Sequence, residues 1–163
     1  MQQTQIQWPD YYHPKNSRIH VKSHMMSDSS PETIWRSIVN AACWPSWRHS
    51  RTSIQMISGD AEHLERGSVF LWKAGLLRYK CTVVEYEHNR RIAWKGRIGE
   101  AEMYHAWLIK ETESGCKVIT EATQRGGMTW FTQIYTPRNI RRYHQKWLEC
   151  LASQSSQSAC NKK

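Results

Sequence analysis

His105 is the residue of this sequence whose type and surroundings best suit acid-base chemistry. It lies in the stretch His105-Ala106-Trp107, within an alternating apolar pattern that is typical of a β-strand. An imidazole among apolar neighbours can titrate near neutral pH and act as a general acid or base. A core histidine that bonds a backbone carbonyl or a cross-strand partner would produce the same pattern, and this is the commoner case. The sequence therefore marks His105 as a candidate catalytic residue and leaves the structural interpretation open.

The aromatic residues form the second chemical feature, because the 163-residue chain contains nine tryptophans. Aromatic side chains line pockets that stack flat ligands, but they also fill cores. Side chains alternate along a strand, so three sets should share the inner face of one sheet. These sets are Phe70 with Trp72, Ile92 with Trp94, and His105 with Trp107 and Ile109. The predicted ligand-binding residues are Phe70, Trp72, Trp94, Arg97, Trp107, Glu121, Trp130, Tyr135, Tyr143 and Trp147, of which the polar members would orient a ligand.

Other classes of site find no support in the motifs. The sequence contains no nucleophile elbow, Walker loop, H-E-x-x-H or dinucleotide-binding fingerprint. Its eight histidines lack metal-ligand spacing, so no metal and no cofactor is predicted. Its five cysteines are an odd number without a C-x-x-C pair, which indicates free thiols and fits a reducing compartment.

The net charge of +9 and the pI near 9.5 favour acidic partners. Arg138, Arg141, Arg142 and Lys146 would share one helix face, so a basic nucleic-acid or protein interaction module is a minor hypothesis. The other basic residues are spread over many elements, which makes nucleic acid an unlikely partner. The chain lacks a run of about 18 apolar residues and has no signal-peptide pattern at its N-terminus. These features predict a soluble, cytoplasmic protein.

The order of elements predicts one α+β domain at residues 17–153. A flexible arm (1–16) precedes it and a disordered Ser/Gln-rich tail (154–163) follows it. Ser30 and Pro31 should cap and begin a helix over residues 30–40. About seven strands joined by short turns follow, and they should form an antiparallel sheet. A long helix that begins at Pro137 carries an apolar stripe, made of Ile140, Tyr143, His144, Trp147, Leu148 and Leu151.

The sequence resembles the START-like (SRPBCC) helix-grip superfamily, in its polyketide cyclase/dehydrase-like branch. The resemblance rests on the stretches 30–35, 44–47 (Trp-Pro-Ser-Trp), 67–72, 90–96, 105–107 and 146–148, whose order and spacing match over residues 17–153. It implies a START/Bet v 1-like fold in which a curved antiparallel sheet surrounds the long C-terminal helix. It also implies that a hydrophobic, aromatic or polycyclic small molecule is bound in an internal cavity.

The resemblance leaves two functional classes open. One is an enzyme of the polyketide cyclase/dehydratase kind, and the other is a non-catalytic protein of lipid or metabolite binding, transfer or resistance. The expected partner is a hydrophobic ligand, either an aromatic polyketide or a lipid, and the expected state is a monomer or homodimer. A polar pair inside the cavity would favour the enzyme, whereas purely apolar walls would favour the binder.

Overall fold

The protein folds around one antiparallel sheet, seen here in a computed structural model that describes residues 5–47, 52–74, 77–127 and 137–156. Its strands are β1 (Ile19–Ser27), β2 (Thr52–Ser58), β3 (Val69–Ala74), β4 (Leu77–Glu87), β5 (Arg91–Ile98), β6 (Ala101–Thr112) and β7 (Gly115–Gly126). Their spatial order is β1-β7-β6-β5-β4-β3-β2, so β2 to β7 form a meander and β1 closes on β7. The predicted antiparallel helix-grip sheet is therefore confirmed.

The first helix, α1 (Pro31–Val39), begins where the local chemistry predicts. The Ser30 hydroxyl accepts a hydrogen bond from the backbone N–H of Thr33 at 3.3 Å, and Pro31 occupies the first turn. The buried face of α1 consists of Ile34, Trp35, Ile38 and Val39. A 3₁₀ turn (Ala41–Cys43) and the short helix α2 (Trp44–Trp47) follow, and they bring Trp44 into the core.

The last helix, α3 (Pro137–Ser156), packs against β1 and α1 with the predicted apolar stripe. Trp147, Leu148 and Leu151 are fully buried, and His144 is 2% exposed. The helix continues through Ser156, so its last turn occupies the first three positions of the predicted disordered tail. The rest of that tail lies outside the described residues.

The N-terminal arm is packed against the outer face of the sheet over its described part, residues 5–16. Two 3₁₀ turns (Asp10–Tyr12 and Pro14–Asn16) shape it, and Thr123 donates a hydrogen bond to the carbonyl of Tyr12 at 2.8 Å. The rings of Trp8 and Tyr12 lie 5.5 and 5.3 Å from the ring of Tyr104. The composition predicts a flexible or loosely docked arm, with Trp8, Tyr11 and Tyr12 as the residues that hold it to the body.

The prediction that the cysteines are free thiols is only partly confirmed. Cys81, Cys116 and Cys150 are free thiols, whereas Cys43 is disulfide-bonded. The prediction of a free thiol is therefore wrong at Cys43, because spacing along the sequence carries no information about distances in the fold.

Candidate functional site

The candidate site lies between the inner face of the sheet and α3. All three predicted inward sets are there: Phe70, Trp72, Ile92, Trp94, His105, Trp107 and Ile109 are buried in the main core. Pairing of the strands brings the sets together, since Trp94 lies opposite His105 and Ile92 lies opposite Trp107. Alternation along each strand and antiparallel register thus build a continuous aromatic surface.

Trp147 brings α3 into this aromatic surface. Its ring lies 5.0 Å from that of Trp107, 5.6 Å from that of Trp72 and 6.3 Å from that of Trp94. Trp44 approaches from the side at 5.2 Å, and Tyr143 packs against Trp147 at 6.1 Å. The predicted members Phe70, Trp72, Trp94, Trp107, Tyr143 and Trp147 therefore meet in one cluster, and their rings are in mutual contact.

Three indole N–H groups on the sheet are buried without a hydrogen-bond acceptor in the described chain: those of Trp72, Trp94 and Trp107. Trp44 is different, because its indole N–H donates to the carbonyl of Ile38 at 3.0 Å. The indole of Trp35 also lacks an acceptor there, but it lies apart, against Tyr86 and His88. Buried hydrogen-bond donors are nearly always paired in proteins. Three such donors on one wall therefore indicate acceptor atoms inside the site.

A row of polar side chains crosses the same interior. Nε2 of His105 lies 2.8 Å from the hydroxyl of Thr120, and the His105 ring stacks on the ring of His144 at 4.8 Å with an angle of 5° between the planes. Ser23 lies opposite Thr120 in the sheet, and its buried hydroxyl has no partner among the described residues. The row joins β1, β7, β6 and α3, and it is the polar feature of an otherwise aromatic core.

Cys81 also belongs to this core, but it is not a nucleophile. Burial raises the pKa of its thiol far above the usual value, so the group stays protonated. The described residues include no group of His, Cys, Asp and Glu side chains that could hold a metal ion. The polar groups that the described inner site contains are imidazole, hydroxyl and indole groups.

Two predicted polar ligands, Glu121 and Arg97, lie on the opposite face of the sheet. The Glu121 carboxylate pairs with His20 and Lys22, each at 2.9 Å, on the outer side of β1 and β7. Arg97 is exposed and donates from Nε to the carbonyl of Gly99 at 2.8 Å. Both placements in the ligand site are wrong, because a residue an odd number of positions from an inward neighbour points outward. By that rule the sequence alone places Arg97, three positions from Trp94, on the opposite face of the strand.

The outer face has its own polar pair, made of the buried Tyr104 and the half-buried Glu85. The Tyr104 hydroxyl lies 3.5 Å from the carboxylate of Glu85, which in turn pairs with Arg91 at 3.1 Å. Burial raises the pKa of Tyr104, and the neighbouring Glu85 raises it further. Burial also raises the pKa of Glu85, and Arg91 opposes that effect. These groups lie on the outer face of the sheet and do not reach the inner site.

Trp130 and Tyr135, the remaining predicted ligand-binding residues, lie outside the described part of the chain. The basic residues of α3 (Arg138, Arg141, Arg142 and Lys146) are exposed as predicted. None of the described helices is both long and apolar enough to cross a membrane.

Three inner residues were missed as site candidates: His144, Thr120 and Trp44. An imidazole within the apolar stripe of a helix was the available signal for His144. Trp44 stood out only as part of the Trp-Pro-Ser-Trp stretch. No local signal selects Thr120, because its face depends on the register of β7 against β6.

Comparison with known proteins agrees with this architecture. The family model described as polyketide cyclase/dehydrase and lipid transport matches residues 18–155. A hypothetical protein of Helicobacter pylori shares 21% identity over 94% of this chain and 97% of its own, with a TM-score of 0.82. The protein TTHA0849 of Thermus thermophilus shares 12% identity over 85% of this chain and 99% of its own, with a TM-score of 0.68. These TM-scores establish a common fold.

DynU16, a protein of the dynemicin biosynthetic locus, is similar over 82% of this chain and 46% of its own, at 10% identity and a TM-score of 0.62. No curated protein shows a significant match. The family match spans most of the chain and coincides with the seven-stranded sheet and α3. The chain therefore belongs to the polyketide cyclase/dehydrase and lipid transport family of the SRPBCC superfamily.

Proposed function

We propose that this protein binds an uncharged, flat aromatic molecule bearing carbonyl or phenol oxygens between the inner face of the sheet and α3. The observation that carries the proposal is the set of three buried indole N–H donors on Trp72, Trp94 and Trp107. A ligand oxygen accepts a hydrogen bond from such a donor, and the surrounding rings stack on a flat ligand.

Charge and chemistry further narrow the ligand class. Glu121 is the only buried carboxylate among the described residues, and it faces outward. No buried carboxylate of the described interior could therefore neutralise a cationic ligand, and burial of an unpaired charge is costly. A fatty acid fits less well, because its long chain has no acceptors for donors spread over three strands. Since the rings touch in the structure, ligand entry requires the tryptophan side chains to move apart.

Equilibrium dialysis provides the test, with 1,8-dihydroxyanthraquinone as the ligand and palmitate as the comparison. The wild-type protein should bind the anthraquinone saturably and prefer it to palmitate. Trp107→Phe keeps an aromatic ring but removes one donor, so the affinity should fall by roughly three- to tenfold, as expected for one hydrogen bond. Trp35→Phe is the matched control, because that indole lies apart from the site, against Tyr86 and His88. Its affinity should stay near wild type.

Absence of saturable binding of any flat aromatic ligand would refute this function. Equal losses in the Trp107 and Trp35 variants would show that the indole donors of the site do not select the ligand. A preference for palmitate would instead support the alternative of lipid binding or transfer.

A further inference from the structure

The solvent-facing side of α3 carries cationic side chains that the proposed function does not use. This basic face consists of Arg138, Arg141, Arg142 and Lys146, and all four residues are exposed. Residues three, four and eight positions apart lie on the same side of an α-helix. The four cations therefore form one stripe, about 12 Å long, on the side opposite the buried Trp147 and Leu151.

No carboxylate of the described chain neutralises the basic face. The ion pairs among the described residues involve other cations, namely Lys22, Arg36, Arg90, Arg91 and two histidines. Glu149 is the only acidic residue of α3, and its carboxylate accepts a hydrogen bond from the Gln145 amide at 3.4 Å. Like charges four residues apart destabilise a helix, and Arg142 has such a neighbour on each side. The basic face therefore concentrates positive charge that the described fold does not compensate.

The position of these cations along α3 also opposes the helix dipole. The N-terminal end of a helix is partially positive, so acidic side chains stabilise it and basic ones do not. Helix α1 follows this rule, because Glu32 lies in its first turn and pairs with Arg36, four residues later, at 2.9 Å. Helix α3 has no acidic residue in its first turn, where Arg138 lies. Stability of the helix thus does not account for the basic face, whereas binding of an anionic partner does.

The spacing of the cations indicates the kind of partner. Arg138, Arg142 and Lys146 recur every four residues, about 6 Å apart along the helix axis. Carboxylates with the same spacing on a second helix would lie opposite them, and guanidinium groups bind carboxylates through two parallel hydrogen bonds. The phosphates of one DNA strand are about 3.4 Å apart along the axis, which does not match. Helices that lie on membranes expose apolar side chains as well, but none of the large exposed hydrophobic residues in the described chain belongs to α3.

We propose that the basic face of α3 is a docking surface for an acidic helix of a partner protein. An antiparallel arrangement would place the negative C-terminal end of the partner helix beside the positive N-terminal end of α3. The contact is electrostatic and exposed to solvent, so it should be sensitive to salt. It is independent of what the inner site binds, because the basic face points away from the sheet.

The test uses a synthetic alanine-rich helical peptide with glutamates along one face. The peptide is titrated into the isotopically labelled full-length protein and followed by proton–nitrogen correlation NMR, which detects weak binding and locates it. The shifts should change at the basic face. The affinity should fall severalfold between about 0.01 and 0.15 M salt, as the Debye length falls from about 30 to about 8 Å. A peptide of the same composition with its glutamates distributed around the helix should bind more weakly.

The double variant Arg138→Glu/Arg142→Glu replaces two attractions by two repulsions. Each exposed charge pair changes an equilibrium constant by about 1.4- to fivefold, so the affinity should fall at least about fourfold. Lys80→Glu/Lys95→Glu is the matched control, because both lysines are exposed on the outer face of β4 and β5 and the net charge changes equally. Its affinity should stay near wild type. The α3 variant should also be at least as stable as wild type in urea, because a glutamate suits the N-terminal end of a helix.

Four other results would overturn the inference. No binding of the acidic peptide at low salt would refute the docking surface and leave the proposed function intact. Equal losses of affinity in the two double variants would show that net charge alone attracts the peptide. A lower urea midpoint in the α3 variant would show that the cations serve the fold. Tighter binding of poly(U) RNA or of phosphatidylglycerol vesicles than of the peptide would assign the basic face to nucleic acid or to a membrane.

Discussion

Replacing Trp147 by alanine should destabilise the protein strongly and create a hole that a small aromatic molecule can fill. Trp147 is fully buried and is the α3 residue that touches the rings of Trp72, Trp94 and Trp107 on the sheet. Its removal deletes an indole from the contact between helix and sheet. The neighbouring rings belong to different strands and cannot all collapse into the vacated space.

The expected loss in the free energy of unfolding is about 3–5 kcal/mol, the range for truncation of a large buried aromatic residue. In a domain of this size the melting temperature should fall by about 6–20 °C. Domains have stabilities of roughly 5–15 kcal/mol, so a variant of a typical domain would still fold. The assay is urea unfolding followed by far-ultraviolet circular dichroism, which does not depend on the lost fluorophore.

Gln145→Ala provides the matched control, because Gln145 is exposed on the same helix. Its effect should stay within about 0.5 kcal/mol. Indole at ten times its dissociation constant should restore about 1.4 kcal/mol to the Trp147 variant, and less to the wild type. A loss below about 1 kcal/mol in Trp147→Ala would refute the packing of α3 onto the aromatic face of the sheet.

Two further predictions concern turns. Gly115→Ala should lower the stability by at least about 1–3 kcal/mol in urea unfolding, because φ is +140° there and the new Cβ would clash with the carbonyl oxygen of Ser27. A variant as stable as wild type would contradict this turn geometry. Asp60 accepts hydrogen bonds from the backbone N–H groups of Glu62 and His63, both at 2.8 Å, which hold its pKa below the usual 3.8. A carboxyl group with a lowered pKa contributes stability above its unfolded pKa and loses it as the pH falls through the folded value. Asp60→Asn should therefore reduce the urea midpoint at pH 7 and approach wild type below pH 3.8; a difference independent of pH would contradict the assignment.

Several features could be predicted from the sequence because their causes are local. Ser30 and Pro31 cap and begin α1 through groups at most three residues apart, so neighbours in sequence supply the whole signal. The inward direction of Trp94 and Trp107 likewise follows from alternation along one strand. The stripe of α3 follows from helical periodicity, which does not depend on what the helix packs against.

The errors concern relations between strands or between distant segments. Glu121 was assigned to the ligand site, but the register of β7 with β1 and β6 places it beside His20 and Lys22 on the outer face. A shift of one residue in that register would reverse the assignment, and nothing in the sequence of β7 specifies it. The composition predicts a flexible or loosely docked arm held by Trp8, Tyr11 and Tyr12, but it does not show that Tyr104 is the surface that Trp8 and Tyr12 contact.

The local sequence is sufficient to predict the order of elements, the cap of α1 and the residues that share a face of one strand or helix, since these depend on backbone geometry over a few residues. Two features appear only in the folded protein: His105 stacks on His144 and bonds Thr120, and the indole donors of three strands share one wall. Such contacts depend on strand register and on the placement of α3 across the sheet. Both are set by the packing of the whole core, and no short segment contains that information.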